Sequence, residues 1–114
     1  TVPRGYDYSS SYEMILFGHF GEKIRKLLKP LPSVIDLPQV HVTKKLHPFE
    51  KPQELLQLFI EQSTDKSNVV LDPFAGSGST IFAAQSLGRN GVGFELNRSH
   101  YLLGLERLQE KGKQ

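Results

Sequence analysis

The stretch from Val69 to Thr80, Val-Val-Leu-Asp-Pro-Phe-Ala-Gly-Ser-Gly-Ser-Thr, constrains the fold more than any other part of the chain. Its three leading apolar residues predict a short strand that is buried on both faces, as in a parallel sheet covered by helices. The strand ends at Asp72, Gly76 and Gly78 allow a tight turn, and a helix follows. Ligands bind outside the carboxyl ends of such strands, where a helix N-terminus presents backbone N–H groups. The sequence therefore predicts a ligand site at Asp72 and the glycines.

Two common glycine loops do not match this stretch. The phosphate loop needs a lysine directly after its last glycine, but Ser79 follows Gly78. The dinucleotide fingerprint needs a third glycine where this chain has Ile81. A nucleoside-sized ligand held by a strand-end carboxylate remains, beside the alternative that the glycines form an ordinary strand-to-helix turn.

A second short strand is predicted from Gly91 to Asn97, and it carries an acid near its end, Glu95. Glu95 follows the glycines by about 20 residues, which is the spacing at which an acid reaches ribose hydroxyls in nucleotide-binding βαβ units. A carboxylate suits a diol because it accepts two charge-assisted hydrogen bonds. The alternative is that Glu95 is a solvated acid at a strand end.

Three segments resemble the cofactor-binding motifs of the S-adenosylmethionine-dependent DNA amino-methyltransferases, the adenine-N6 and cytosine-N4 enzymes. They are His47–Pro52, Asp72–Gly78 and Phe94–Asn97. The resemblance implies S-adenosylmethionine as cofactor, DNA as partner and a Rossmann-like methyltransferase fold. The cofactor-binding residues that it implies are His47, Pro48, Glu50, Lys51, Pro52, Asp72, Pro73, Phe74, Ala75, Gly76, Ser77, Gly78, Glu95 and Asn97. Without the family, His47 and Lys51 would be interpreted as residues that begin a helix.

The catalytic signature of the resembled family is an Asp, Asn or Ser followed by two prolines and an aromatic residue. Asp36-Leu-Pro-Gln comes near to it but lacks the second proline and the aromatic residue, so we assign no catalytic residue. The resemblance implies that this chain is the C-terminal, cofactor-binding part of a methyltransferase and needs a complementary catalytic half. The alternative is a non-catalytic S-adenosylmethionine-binding remnant or regulatory module. The uncovered sheet of an incomplete domain would also favour self-association.

Positive charge is concentrated in the first half of the chain. Residues 1–51 carry eight Lys and Arg against five acids, whereas residues 52–114 carry six against seven. This excess predicts weak DNA binding in the first half, with a solvated basic face as the alternative. The residues concerned are Lys23, Arg25, Lys26, Lys29, Lys44 and Lys45. The chain has no cysteine and no apolar run near the roughly 18 residues of a membrane span, which fits a cytoplasmic protein.

From residue 52 onward the pattern predicts helix, strand, helix, strand and helix, that is, an α/β fold of parallel βαβ units. We expect one incomplete domain, with residues 47–114 as the cofactor-binding region and residues 1–46 as edge strands and a basic linker. Within the latter, Tyr12–Phe17 is predicted as a strand and Gly21–Leu28 as a short amphipathic turn. Apolar stripes are predicted to face the core at Leu55, Leu56, Phe59 and Ile60 and at Tyr101, Leu102, Leu105 and Leu108.

Overall fold

Three helices and two strands alternate in the computed structural model, which describes residues 12–38 and 50–111. They are α1 (Gln53–Ser63), β1 (Val69–Asp72), α2 (Ser79–Ser86), β2 (Asn90–Gly93) and α3 (Arg98–Lys111). This order confirms the pattern predicted from residue 52 onward. Within the two described ranges, no helix is long and apolar enough to cross a membrane.

β1 and β2 form a parallel two-stranded sheet in which Val69 lies opposite Asn90 and Asp72 lies opposite Gly93. Because α2 connects these neighbouring parallel strands, the three elements form one βαβ unit. Both strands therefore end at the same edge of the sheet. The architecture confirms the predicted α/β class, a partial Rossmann-like fold.

Helix α2 lies directly against β2 because the strand offers glycines at the contact. A Cβ atom on Gly91 would lie 2.8 Å from Ile81 Cγ2, and one on Gly93 would lie 2.7 Å from Ala75 Cβ. Real Cβ atoms do not approach other atoms so closely in a well-packed interior. The sequence Asn-Gly-Val-Gly of β2 is thus what allows the helix to approach the sheet.

The core lies between α1 and α2. Ile60 of α1 packs with Ala83 and Ala84 of α2, and partly buried apolar side chains surround them at Leu56, Val70 and Leu87. Ala83 and Ala84 are completely buried, and their small side chains let the two helices lie close together. Two residues of the stripe predicted on α1, Leu56 and Ile60, face this core.

One face of the sheet is uncovered by the described residues, contrary to the prediction that β1 is buried on both faces. The side chains of Val69 and Leu71 are each 61% exposed, and that of Val92 is 43% exposed. Side chains alternate between the two faces of a strand, and these three residues share the face opposite α2. No described helix packs there, so this apolar sheet face (Val69, Leu71 and Val92) meets solvent.

Helix α3 packs through a different face from the one predicted. Tyr101, Leu102 and Leu108 of the predicted stripe are exposed. The helix instead contacts the turn before α2 through Gly104, at which a Cβ would lie 3.5 Å from the Ser77 carbonyl. The spacing of apolar residues predicted a helix here, but the contact with the turn is made at Gly104, which is not part of the predicted stripe.

Residues 12–38 contain neither helix nor strand, so the predictions of a strand at Tyr12–Phe17 and an amphipathic turn at Gly21–Leu28 are wrong. A strand needs a neighbouring backbone to bond with, and no strand within the described ranges pairs with this run. Its large apolar side chains are exposed. The segment contacts the rest of the chain through ion pairs of Arg25 with Asp65 and of Glu13 with Lys51, and through a hydrogen bond from Lys29 N to Gln62 Oε1. The predicted boundary after residue 46 lies outside the described residues.

Candidate functional site

The carboxyl end of β1 leads into the glycine turn, which we define as Pro73–Gly78. Asp72 Oδ1 accepts a hydrogen bond of 2.9 Å from Phe74 N, which starts the turn. Gly78 N closes it on Ala75 O at 2.8 Å. Gly76 and Gly78 have φ values of 55° and 85°. These values lie in the left-handed region, where a side chain would be strained, so both glycines are required by the shape of the turn.

Beside the glycine turn lies a first pocket of about 190 Å³. Its wall comes from two distant parts of the sequence, the turn itself and the segment that leads into α1. Predicted site residues in its lining are Glu50, Lys51, Asp72, Phe74, Ala75, Gly76 and Ser77. The structure therefore brings the first two family-like segments together at the edge where the strands end.

Glu95 lies just beyond the end of β2, on the other side of the glycine turn. Its Oε2 accepts a hydrogen bond of 2.8 Å from Gly76 N, and its Oε1 accepts one of 2.8 Å from Asn97 N. Glu95 also lines a second pocket of about 310 Å³, together with Arg98, Tyr101 and other residues of α3. Gly76 thus lines the first pocket, which holds Asp72, and is hydrogen-bonded to Glu95, which lines the second.

Asn97 and Pro52 are used at the ends of helices. Asn97 Oδ1 accepts hydrogen bonds from Ser99 N at 2.9 Å and His100 N at 3.3 Å, so its side chain caps α3. Pro52 precedes α1 and its carbonyl accepts the first amide bonds of that helix. Neither residue lines the first pocket. His47 and Pro48 lie outside the described residues.

The charged residues at the first pocket are engaged with other side chains. Lys51 Nζ pairs with Glu13 Oε1 of the N-terminal segment. Glu50 Oε1 accepts a hydrogen bond of 3.1 Å from Ser79 Oγ and lies 3.6 Å from Arg107 Nη1. Sequence reasoning missed Ser79 and Arg107, because neither belongs to a recognisable motif and Arg107 reaches the turn only through the packing of α3.

The basic residues that the structure describes between residues 12 and 38 are exposed: Lys23, Arg25, Lys26 and Lys29. Arg25 donates two hydrogen bonds to Asp65, of 2.9 and 2.8 Å. These bonds, together with the attraction between the two charges, lower the pKa of Asp65 and raise the pKa of Arg25. Lys44 and Lys45 lie outside the described residues.

This arrangement can bind a polar, nucleoside-sized ligand. It offers carboxylates that accept hydrogen bonds from hydroxyl or ammonium groups. It also offers two pockets, the first lined by Asp72 and Gly76 and the second by Glu95. Among the described residues, no group of three His, Cys, Asp or Glu side chains is placed to hold a metal ion.

A comparison with protein families matches residues 3–106 to the family described as DNA methylase, N6_N4_Mtase. The type II methyltransferase M.HindIII of Haemophilus influenzae is 43% identical over 65 residues, 57% of this chain and 21% of that protein. The DNA adenine methyltransferase YhdJ of Escherichia coli K12 is 39% identical over 79 residues, 67% of this chain and 27% of that protein.

Solved structures give the same result. The crystal structure of the M1.HpyAVI-SAM complex is similar with a TM-score of 0.56 and 35% identity. The similarity covers 60% of this chain and 34% of that one. The chain therefore spans about a third or less of the length of the proteins that it matches.

Proposed function

This chain belongs to the DNA methylase family, and from that premise we propose that it forms the S-adenosylmethionine-binding part of an N6-adenine or N4-cytosine DNA methyltransferase. One observation carries the proposal. Asp72, the glycine turn and Glu95 meet at the carboxyl edge of a parallel sheet, where such folds bind their ligands. The proposed cofactor-binding region is residues 47–114.

For the nucleoside part of the cofactor we propose the side of the glycine turn that Glu95 occupies. Glu95 accepts hydrogen bonds of 2.8 Å from Gly76 N and Asn97 N, which hold its carboxylate at this edge of the sheet. The two hydroxyl groups of a ribose are donors, and a carboxylate is a strong acceptor for such a pair. Tyr101 and Leu102 in the lining of the second pocket supply apolar surface for a purine ring.

For the amino-acid end of the cofactor we propose the first pocket. Asp72 and Glu50 there are acceptors for an ammonium group, and Lys51 is a partner for a carboxylate. Lys51 would exchange its pair with Glu13 for one with the ligand. The other motif residues would shape the pockets. One group forms the glycine turn, and the other group, His47, Pro48 and Pro52, precedes α1.

The proposed reaction needs little acid–base chemistry. The methyl group would pass in line from the sulfur to an exocyclic amine of adenine or cytosine, S-adenosylhomocysteine would leave, and the proton of the amine would go to the catalytic half or to water. S-adenosylmethionine supplies the activated methyl group when bound. The residues of this chain would hold that methyl group in a fixed direction, and positioning of this kind accounts for a large share of such a rate enhancement.

DNA and a second protein part are the proposed partners. Lys23, Lys26 and Lys29 are exposed and suit the phosphate backbone, so we propose weak and salt-sensitive DNA association. The apolar sheet face suits either a complementary catalytic half or a second copy of this chain. We place the protein in the cytoplasm, where the DNA of its bacterial relatives is found.

Calorimetry on the full chain tests the proposed cofactor. We expect saturable binding of S-adenosylmethionine with one site per chain, competition by S-adenosylhomocysteine, and weaker binding of adenosine, which lacks the amino-acid end. ATP is the control, because it shares the adenosine but carries a triphosphate for which the glycine turn has no lysine. A chain that binds ATP as tightly as S-adenosylmethionine, or neither, would contradict the proposal.

A non-catalytic S-adenosylmethionine-binding module is the second candidate, because the sequence lacks the catalytic signature of the family. We expect this chain alone to transfer no labelled methyl group to mixed-sequence duplex DNA. Transfer that begins on addition of a separately produced catalytic half would support the enzyme, and continued inactivity would support the binding module. Transfer by the chain alone that is lost in Asp72→Ala would show that catalytic groups are present in it.

A further inference from the structure

Two buried serines point to what holds the glycine turn in shape. Ser77 is 2% exposed and Ser79, at the first position of α2, is 8% exposed. Gly76 and Gly78 would let this segment adopt many conformations if nothing else fixed it. Besides the hydrogen bond from Gly76 N to Glu95, contacts with the turn come from α3, which follows it by about 20 residues in the sequence.

Arg107 of α3 reaches both serines. Its Nη1 lies 3.1 Å from the Ser77 carbonyl oxygen, 3.1 Å from Ser77 Oγ and 3.3 Å from Ser79 Oγ. The two hydrogens on this nitrogen are thus shared among three acceptors on one short segment, and each bond is charge-assisted. The guanidinium group also lies 4.4 Å from the centre of the Phe82 ring. This cation–π contact with a residue of α2 helps to hold the Arg107 side chain in place.

Glu50 completes the network and connects it to the first pocket. Its Oε1 lies 3.6 Å from Arg107 Nη1 and accepts the hydrogen bond from Ser79 Oγ. The Arg107 and Glu50 side chains are only 20% and 12% exposed. Charges with so little access to water need a partner, so the two groups hold each other in place. Glu50 also lines the first pocket, so the wall of that pocket depends on Arg107.

We infer that Arg107 is a positioning residue for the cofactor: it fixes the glycine turn through Ser77 and Ser79 and orients Glu50, without contacting the ligand itself. The expected tighter binding of the cofactor rests on the proposed function. The restraint of the glycine turn by α3 does not, because it is a property of the chain without ligand.

Four variants test this role in the full chain. Arg107→Met keeps the length of the side chain and removes its charge and donors, whereas Arg107→Lys keeps the charge but loses the planar fork. Arg89 provides the matched control, because it also joins two segments, with Nε 3.1 Å from Thr64 Oγ1 and Nη2 3.0 Å from the Thr64 carbonyl. Arg89→Met and Arg89→Lys therefore remove comparable bonds away from the glycine turn.

Amide hydrogen exchange on the cofactor-free chain provides the first measurement. In Arg107→Met we expect the amides of residues 76–79 to exchange at least about tenfold faster, the loss expected for hydrogen bonds to a charged group. Arg107→Lys should show an intermediate increase, and the Arg89 variants should leave this segment unchanged. Unchanged exchange in Arg107→Met would overturn the inference, whether or not the chain binds the cofactor.

Calorimetry with S-adenosylhomocysteine provides the second measurement. Arg107→Met should bind at least about tenfold more weakly than the wild type, with partial rescue in Arg107→Lys, and the Arg89 variants should bind within about twofold. A wild type that fails to bind rejects the proposed function and leaves the exchange result to decide the inference. Global unfolding of both Arg107 variants, with folded Arg89 variants, would overturn it by making Arg107 a general stability residue.

Discussion

At the scale of single residues, Glu95 has two tasks that one carboxylate can combine. It holds Gly76 N and Asn97 N, and it lies where a ribose diol is proposed. We expect Glu95→Ala to weaken S-adenosylmethionine binding by about 1–3 kcal/mol, the cost of leaving buried polar groups unpaired. Calorimetry on the purified variant measures this effect.

The control for this substitution is Glu61→Ala, which removes an exposed carboxylate on α1. It should leave the affinity unchanged within about 0.5 kcal/mol, as surface substitutions usually do. Equal affinities of wild type and Glu95→Ala would reject Glu95 as the ribose ligand.

A second residue-scale prediction concerns the ion pair between Arg25 and Asp65. The pKa of Asp65 is lowered by the hydrogen bonds from Arg25. Because the pKa of Asp65 is lower in the folded state, the pair stabilises the fold fully at pH values above the pKa of a carboxyl group in the unfolded chain. This stabilisation is lost as the pH falls through the pKa of the folded state. We expect Arg25→Gln to raise the pKa of Asp65, measured by NMR of its side-chain carboxyl carbon. An equal rise in Lys26→Gln would show that the general basic charge, and not the pair, is the cause.

At the scale of elements, the contact between α2 and β2 depends on Gly91. A Cβ there would lie 2.8 Å from Ile81 Cγ2 and 3.1 Å from Ile81 Cα, and the backbone atom cannot move aside alone. We expect Gly91→Ala to lower the free energy of unfolding by about 1–3 kcal/mol, the usual cost of overpacking. Urea denaturation measures it. Gly18→Ala is the control, since nothing lies within 4 Å of a Cβ at that position, and an equal loss there would reject the packing argument.

The elements also show what the sequence could predict. β1, the glycine turn, α2 and β2 are adjacent in the chain, so their local pattern was sufficient to predict them and their parallel pairing. The packing face of α3 was predicted wrongly, because apolar spacing favoured Tyr101 and Leu102, whereas the contact is made by Gly104 and Arg107. A charged residue on a helix is normally solvated, so nothing local to Arg107 indicated its place beside Ser77.

The strand predicted at Tyr12–Phe17 failed for a related reason. Its β-branched and aromatic residues suit a strand, but a strand also needs a partner backbone, and the sequence carries no local information about whether one is present. The positions of Asp72 and Glu95 were predictable because they depend on strand ends. Their division between two pockets was not, since it depends on the hydrogen bond from Gly76 to Glu95.

At the scale of the whole molecule, the apolar sheet face should govern association. Val69, Leu71 and Val92 expose adjacent apolar surface on one side of the sheet, and such surfaces mark interaction sites. We expect the chain to self-associate at high concentration and Leu71→Thr with Val92→Thr to reduce this, measured by size-exclusion chromatography with light scattering. Leu28→Thr, at an exposed position outside the sheet, is the control. A wild type that stays monomeric at high concentration would contradict the prediction.

The distribution of the pocket walls along the chain has a thermodynamic consequence. Glu50, the glycine turn, Glu95 and Arg107 are spread over more than 50 residues of the sequence, and they meet only in the folded state. An unfolded chain therefore has no site, and a ligand that binds only the folded state stabilises it by an amount that grows with the logarithm of the ligand concentration above its Kd. At a concentration of 100 times its Kd this linkage adds about 2.7 kcal/mol. For so small a core, the bound cofactor would be a substantial part of what keeps the chain folded.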